Sequence, residues 1–171
     1  MKNKKDIFFD FKRKFYLEKN KFLFLFLFFL FLVYFFSENN KTINCPFGKE
    51  VLVTKVVDGD TVIVEGGYTV RLLAIDADEK EYPCYETSKN KLESLVLNKK
   101  VKLEKDKQEI DRYGRCLGYL TLNNKNINLE MVKEGEAICR FYAPNLKYKE
   151  NCEKIEKISI REKRGCKWKK E

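Results

Sequence analysis

Three short strings carry most of the side chains that could do chemistry: Asp58-Gly59-Asp60, the run Arg71 to Glu79, and Asp111-Arg112-Tyr113-Gly114-Arg115. Each is weak alone, because Asp-Gly-Asp is a common turn and an arginine on a strand is usually solvated. Together they offer carboxylates, arginines and little else. The chain of 171 residues contains no histidine, which removes every mechanism with a histidine base, nucleophile or metal ligand. Hydrolysis by this chain must rest on carboxylates, arginines, lysines, tyrosines, cysteines or a hard metal ion.

A hairpin reading links the first two strings. Gly66-Gly67 is a two-residue hairpin signal between Thr61–Glu65 and Tyr68–Ile75. If Glu65 pairs with Tyr68, then Val62 faces Arg71 and Asp60 faces Leu73. Asp60 and Arg71 become diagonal neighbours on one face, about 7–8 Å apart at the backbone. Alternation sends Asp76 to the other face, so a kink after the third strand is needed to bring it in.

The elements that must position these residues follow from periodicity. Val51–Val57, Thr61–Glu65, Tyr68–Ile75, Val101–Glu104 and Cys116–Leu122 read as strands. Tyr85, Leu92, Leu95 and Val96 share a helical face. Asn128–Glu134 reads as a short helix with Asn128 as cap and Gly135 as stop. Tyr148, Cys152, Ile155 and Ser159 form the stripe of a last helix ending near Gly165. The expected class is α+β: a five-stranded OB-fold-like β-barrel with about three packed helices, preceded by an N-terminal hydrophobic helix.

The chain divides into a basic tail (1–21), an apolar run (22–36), a linker (37–49) and a domain (50–168). Of the net +9, from 35 Lys+Arg against 26 Asp+Glu, the tail supplies +5 from eight basic and three acidic residues. The remainder, 27 against 23, leaves the domain only mildly basic, so net charge does not argue for a nucleic-acid partner. Fifteen apolar residues span roughly 22 Å as a helix, short of a ~30 Å hydrocarbon core. That length fits the apolar region of a cleaved signal peptide, whereas the missing Ala-x-Ala site and long basic tail fit an uncleaved membrane anchor. Either reading places residues 37–171 outside the cytoplasm, secreted or tethered. All six cysteines (Cys45, Cys84, Cys116, Cys139, Cys152, Cys166) follow the apolar run. They read as disulfides, with fifteen pairings open.

The order Val57-Asp58-Gly59-Asp60-Thr61-Val62, Arg71-Leu72-Leu73-Ala74-Ile75-Asp76-Ala77-Asp78-Glu79, Asp111-Arg112-Tyr113-Gly114-Arg115 closely resembles the staphylococcal nuclease family. Asn128 to Ala137 and Arg164-Gly165-Cys166-Lys167-Trp168 also look like that family's later segments, so the resemblance runs from about residue 50 to 168. It implies a Ca²⁺-dependent nuclease acting on DNA or RNA and leaving 3′-phosphates. Asp60, Asp76 and the Ala77 carbonyl would bind Ca²⁺, and Glu79 would be the general base. Arg71 and Arg115 would hold the phosphate and stabilise the five-coordinate transition state. Arg112, Tyr113 and Tyr142 would contact the substrate, and a monomer is expected. Asp78 stands where the family carries proline, a change expected to loosen the loop that aims Glu79 and to set a negative charge where a polyanion docks. The alternatives are a non-catalytic OB-type module that binds nucleic acid or protein, and a membrane-tethered structural protein.

Overall fold

A computed structural model describes residues 21, 23–34 and 43–169. Contacts divide the chain into residues 1–42 and 43–171. In the first unit, residues 23–34 are helical. Among the described residues no helix is long and apolar enough to cross a membrane. The basic tail up to residue 20 and the stretch 35–42, where cleavage would fall, lie outside the described residues.

In the second unit the strands are β1 (Glu50–Val56), β2 (Thr61–Val64), β3 (Tyr68–Leu72), β4 (Ile75–Asp76), β5 (Lys100–Ile110), β6 (Cys116–Leu122), β7 (Lys125–Asn126) and β8 (Ile138–Cys139). The helices are α1 (Tyr85–Val96), α2 (Ile127–Lys133), α3 (Lys149–Arg161) and α4 (Gly165–Trp168). The large sheet runs β3-β2-β1-β5-β6-β7, and a further pairing joins its first strand, β3, to β6. Five strands therefore close on themselves, with β7 as an extension, and helices cover the closed sheet in an α+β arrangement. Closure removes the exposed strand edges that would otherwise template aggregation.

The core is built of alternating Val and Leu. Val51, Val53, Val62, Val64, Val70, Leu72, Val101 and Leu103 point inward and meet Leu92 and Val96 from α1 and Met131 and Val132 from α2. Each such side chain contributes about 1.5–3 kcal/mol of burial. In β1 the alternation breaks at a bulge, where Val53 faces Val64 but Lys55 faces Ile63. The extra residue, Thr54, stays outside and donates to the Ile63 carbonyl at 3.1 Å.

Three expectations need correction. The first hairpin is not a two-residue turn: Glu65, Gly66 and Gly67 form a 3₁₀ turn, and Val64 pairs with Tyr68. The register shifts by one, so Thr61 faces Arg71 and Val62 faces Val70. The third strand stops at Leu72; a turn through Ala74, at φ +67, starts the separate strand β4, which pairs with β8. The cap of α2 is Asn126, whose side chain accepts from the Leu129 N–H, while Asn128 is buried and ties Leu120, Leu73 and Gly118 together.

All six cysteines are paired, as Cys45–Cys116, Cys84–Cys166 and Cys139–Cys152. The first draws residues 43–49, read from sequence as linker, onto the barrel: Cys45 and Phe47 pack against its core.

Candidate active site

The two arginines converge because of how the barrel closes. Strands β3 and β6 pair in parallel with Arg71 opposite Leu117, so both side chains leave the same face. Arg115 lies two residues before Leu117 and, by alternation, joins them. Arg71, Arg115 and Leu117 all line one open cleft of about 450 Å³. Glu79, Arg112, Tyr113, Tyr142, Arg140, Gln108, Asp111 and Asn145 complete the part of its wall that carries polar groups.

The two metal-ligand candidates sit behind Arg71. The Asp58 side chain accepts from the Asp60 N–H at 3.0 Å, an Asx turn that takes Asp60 out of strand alternation. Gly59 makes that turn possible, since a Cβ there would lie 2.5 Å from Ser88 Cβ and 2.6 Å from Ala77 Cβ. Asp60 is consequently 5% exposed, takes the Ala77 N–H at 3.0 Å and the Thr61 hydroxyl at 3.0 Å, and meets Arg71 Nη2 at 2.9 Å. The same Nη2 is 3.1 Å from Asp76 Oδ1, and Arg71 Nη1 donates to the Ile75 carbonyl at 3.0 Å. Asp76 Oδ2 takes Arg140 Nε at 3.0 Å. Asp60 and Arg71 thus meet as expected, although by a turn and a different register.

Burial pushes the Asp60 carboxyl up from 3.8 to about 6, against the pull of Arg71 and of the Ala77 N–H. Burial also raises Asp111, but hydrogen bonds from the Arg115 backbone and guanidinium and from the Tyr113 N–H outweigh it and hold Asp111 below the usual carboxylate value. Those bonds fix Arg115 by its Nε, 2.7 Å from Asp111 Oδ2, leaving the Nη end for a ligand.

Glu79 is exposed on the loop that follows β4, and its position depends on a clamp. Asp78 Oδ2 accepts the Cys84 N–H at 3.1 Å, its Oδ1 pairs with Lys167 Nζ, and Cys84 is disulfide-bonded to Cys166. Lys167 N–H in turn donates to the Gly135 carbonyl at 2.9 Å. Where the loss of proline is expected to loosen this loop, Asp78 supplies a tether of its own, and its charge is met by Lys167 rather than left facing the substrate. A proline would fix one φ angle; the aspartate instead fastens the loop to the C-terminal segment.

Arg112, Tyr113 and Tyr142 all reach the cleft. Tyr113 is 68% and Tyr142 67% exposed, as befits rings that would stack on a ligand. The guanidinium of Arg112 lies 4.7 Å, and that of Arg115 5.5 Å, from the Tyr113 ring centre.

A model described as staphylococcal nuclease homologue matches residues 69–170. The chain belongs to the staphylococcal nuclease family. It is 39% identical over 114 residues to the thermonuclease of Staphylococcus hyicus, covering 61% of this chain and 68% of that protein. It is 34% identical over 119 residues to the thermonuclease of Staphylococcus intermedius, covering 64% and 71%. An SPbeta prophage-derived endonuclease of Bacillus subtilis is 37% identical over 133 residues, covering 68% of this chain and 45% of that one. The family match begins after Asp60 but includes Arg71, Asp76, Glu79 and Arg115.

Several residues that hold this nuclease-family site together escaped the sequence reading. Thr61 and Asp111 were visible beside named residues, and only their hydrogen bonds assign them. Arg140 and Lys167 are distant in sequence from the aspartates they pair with, Asp76 and Asp78, and only the β4–β8 pairing and the Cys84–Cys166 bridge bring them in.

Proposed function

We propose that the chain is a Ca²⁺-dependent nuclease hydrolysing phosphodiester bonds of DNA or RNA. The observation that carries this is the convergence of Arg71, Arg115 and Glu79 on one cleft with Asp60 and Asp76 directly behind it.

The donor chemistry fits a hard divalent cation. Two carboxylates converge on one point, held here by Arg71 Nη2, and burial raises the Asp60 carboxyl, so a neighbouring cation favours its charged form. Among the described residues no three carboxylate or thiolate groups form a metal-binding cluster, so Asp60 and Asp76 would be completed by carbonyl and water oxygens, as suits Ca²⁺. Ala77 remains the candidate carbonyl; the contact seen at that residue is its N–H to Asp60. Bound there, the ion would supply Lewis-acid neutralisation of the phosphodiester.

The chain's own groups account for the remaining steps. Glu79 orients a water and accepts its proton as the water oxygen attacks phosphorus. The Nη end of Arg115 grips the phosphate, and Arg71 presents positive charge to the same cleft while countering the acids behind it. The P–O bond to the strand oxygen on the far side of phosphorus then breaks, and that oxygen leaves as a hydroxyl after taking a proton from solvent, while Glu79 releases its own proton to solvent. Tyr113 and Tyr142 offer rings to flanking bases, and Arg112 to a neighbouring phosphate.

The test is cleavage of single-stranded DNA with Ca²⁺, with a chelator, and with Glu79→Gln. Absence of Ca²⁺-dependent cleavage by the wild type would sink the enzyme reading and favour a binding module. Full activity of the variant would sink the assignment of the base. The cleft is complete within one chain, which supports a monomer, checked by sedimentation. Three disulfides after an apolar segment support export, with residues 22–36 either removed or left as an anchor. Amino-terminal sequencing of the mature protein separates the two outcomes, a start within residues 37–44 meaning removal.

A further inference from the structure

We infer that Arg140 is a further phosphate-binding residue of this cleft, gripping a phosphodiester of the substrate strand other than the one Arg71 and Arg115 serve. The inference rests on the nuclease reading above.

Arg140 follows β8, and its N–H donates to the Ala74 carbonyl at 3.0 Å. The preceding residue, Cys139, is bridged to Cys152 and donates its own N–H to Glu156 at 2.7 Å. The backbone that carries Arg140 is therefore fastened to β4 on one side and to α3 on the other. The side chain lines the cleft, and its Nε meets Asp76. Asp76 already has Arg71 on its other oxygen, so this carboxylate is shared by two guanidiniums.

A purely structural role explains this poorly. The Arg140 and Asp76 side chains are 48% and 34% exposed, and ion pairs so open to water contribute about 0–1 kcal/mol. What the pair does accomplish is orientation: it fixes the guanidinium through Nε. The fork of the Nη atoms is the bidentate, phosphate-matching end of the side chain. Arg115 is held in the same way, by its Nε against Asp111. Both arginines are aimed by an aspartate at their Nε and line the same cleft. An arginine is charged at any working pH, so the fork presents positive charge to the cleft throughout.

The experiment uses the full chain in a Glu79→Gln background with Ca²⁺ and a labelled single-stranded oligonucleotide, measuring affinity as a function of salt. Each phosphate neutralised on a single strand contributes about 0.7 to the slope of log K against log salt. Arg140→Gln should weaken binding and lower the slope by about 0.7, whereas Arg140→Lys should keep the slope and lose only affinity. Lys125→Gln, in β7 and absent from the cleft wall, should leave the slope unchanged. An unaltered slope in Arg140→Gln overturns the inference, and so does an equal fall in Lys125→Gln, which would mean diffuse charge rather than contact. If Arg140→Gln fails to fold, Arg140→Lys decides, since a lost slope there also overturns the inference. No binding in the Glu79→Gln parent overturns the nucleic-acid reading itself, and this inference with it.

Discussion

The clamp between Asp78, Lys167 and the Cys84–Cys166 bridge makes a prediction about catalysis from residues far outside the cleft wall. Lys167 and Asp78 side chains are 14% and 19% exposed, so their pairing lies between an open ion pair, at about 0–1 kcal/mol, and a buried one, whose breakage costs about 3–5 kcal/mol. Lys167→Ala should therefore destabilise by about 2 kcal/mol in urea unfolding, leaving Asp78 with only the Cys84 N–H. A double-mutant cycle with Asp78→Ala should return a coupling of about 1–2 kcal/mol. Catalysis should suffer more than binding. Glu79 is the neighbour of Asp78, and a displacement of about 1 Å at a reacting group costs on the order of 10²-fold. Arg71 and Arg115 stand on β3 and beside β6, outside this loop. We expect kcat to fall about 10- to 100-fold in Lys167→Ala, with KM changed less than about 3-fold. Cys84→Ala/Cys166→Ala, which also removes a bridge spanning 82 residues, should lose as much kcat. It should also lose up to about 4.5 kcal/mol of stability on the loop-entropy scale. Wild-type kcat in both variants, or strictly additive single effects in the cycle, would refute the idea that the C-terminal segment aims Glu79.

Three other outcomes are expected. Asp111→Asn weakens the grip on Arg115 Nε and should cut kcat/KM about 10- to 100-fold in steady-state cleavage while leaving the unfolding midpoint nearly in place. Asp60 is raised from 3.8 to about 6, so the folded state holds more protons than the unfolded state between those values. Its contribution to stability is present below that window and lost as pH rises through it. Unfolding free energies from urea titrations against pH should show a decline of at most about 3 kcal/mol there, absent in Asp60→Asn. Gly59→Ala drives a Cβ into Ser88 and Ala77 and should cost about 1–3 kcal/mol by chemical unfolding, with Ca²⁺ affinity falling in parallel on calorimetric titration.

Part of this molecule is legible from local pattern and part is not. The strands β1, β2 and β6 and the helix α1 follow from apolar period alone, because their inward residues Val51, Val53, Val62, Val64, Leu120, Leu92 and Val96 belong to one core. The hairpin shows where that logic stops. Gly66 and Gly67 have φ of +82 and +80, as a two-residue turn would need. Glu65 joins them in a 3₁₀ turn, however, and one added loop residue moves every side chain to the other face. Strict alternation in the observed register would separate Asp60 from Arg71. They meet because the Asx turn at Asp58 releases Asp60 from the strand pattern, and hydrophobic period carries no information about a side-chain-to-backbone bond of that kind.

The same division explains where function is encoded. Four of the groups that would do chemistry, Asp60, Arg71, Asp76 and Glu79, lie within one short stretch of chain, with Arg115 in the later Asp111–Arg115 string, and the order of these strings suffices to find them. Most of the groups that aim them are remote. Asp111 fixes Arg115, Arg140 shares Asp76, and Lys167 with Cys166 holds the Glu79 loop. Asp111 and Arg115 are only four residues apart, and the β3–β6 pairing sets Arg115 beside Arg71; the other contacts depend on β4 with β8 and on α4 docked at Gly135, where a Cβ would lie 2.0 Å from the Arg164 carbonyl oxygen. Changes at Asp60 or Arg71 should therefore remove the reaction outright. Changes at Asp111, Arg140 or Lys167 should detune it, lowering kcat or relaxing the salt dependence of binding while the barrel stays folded.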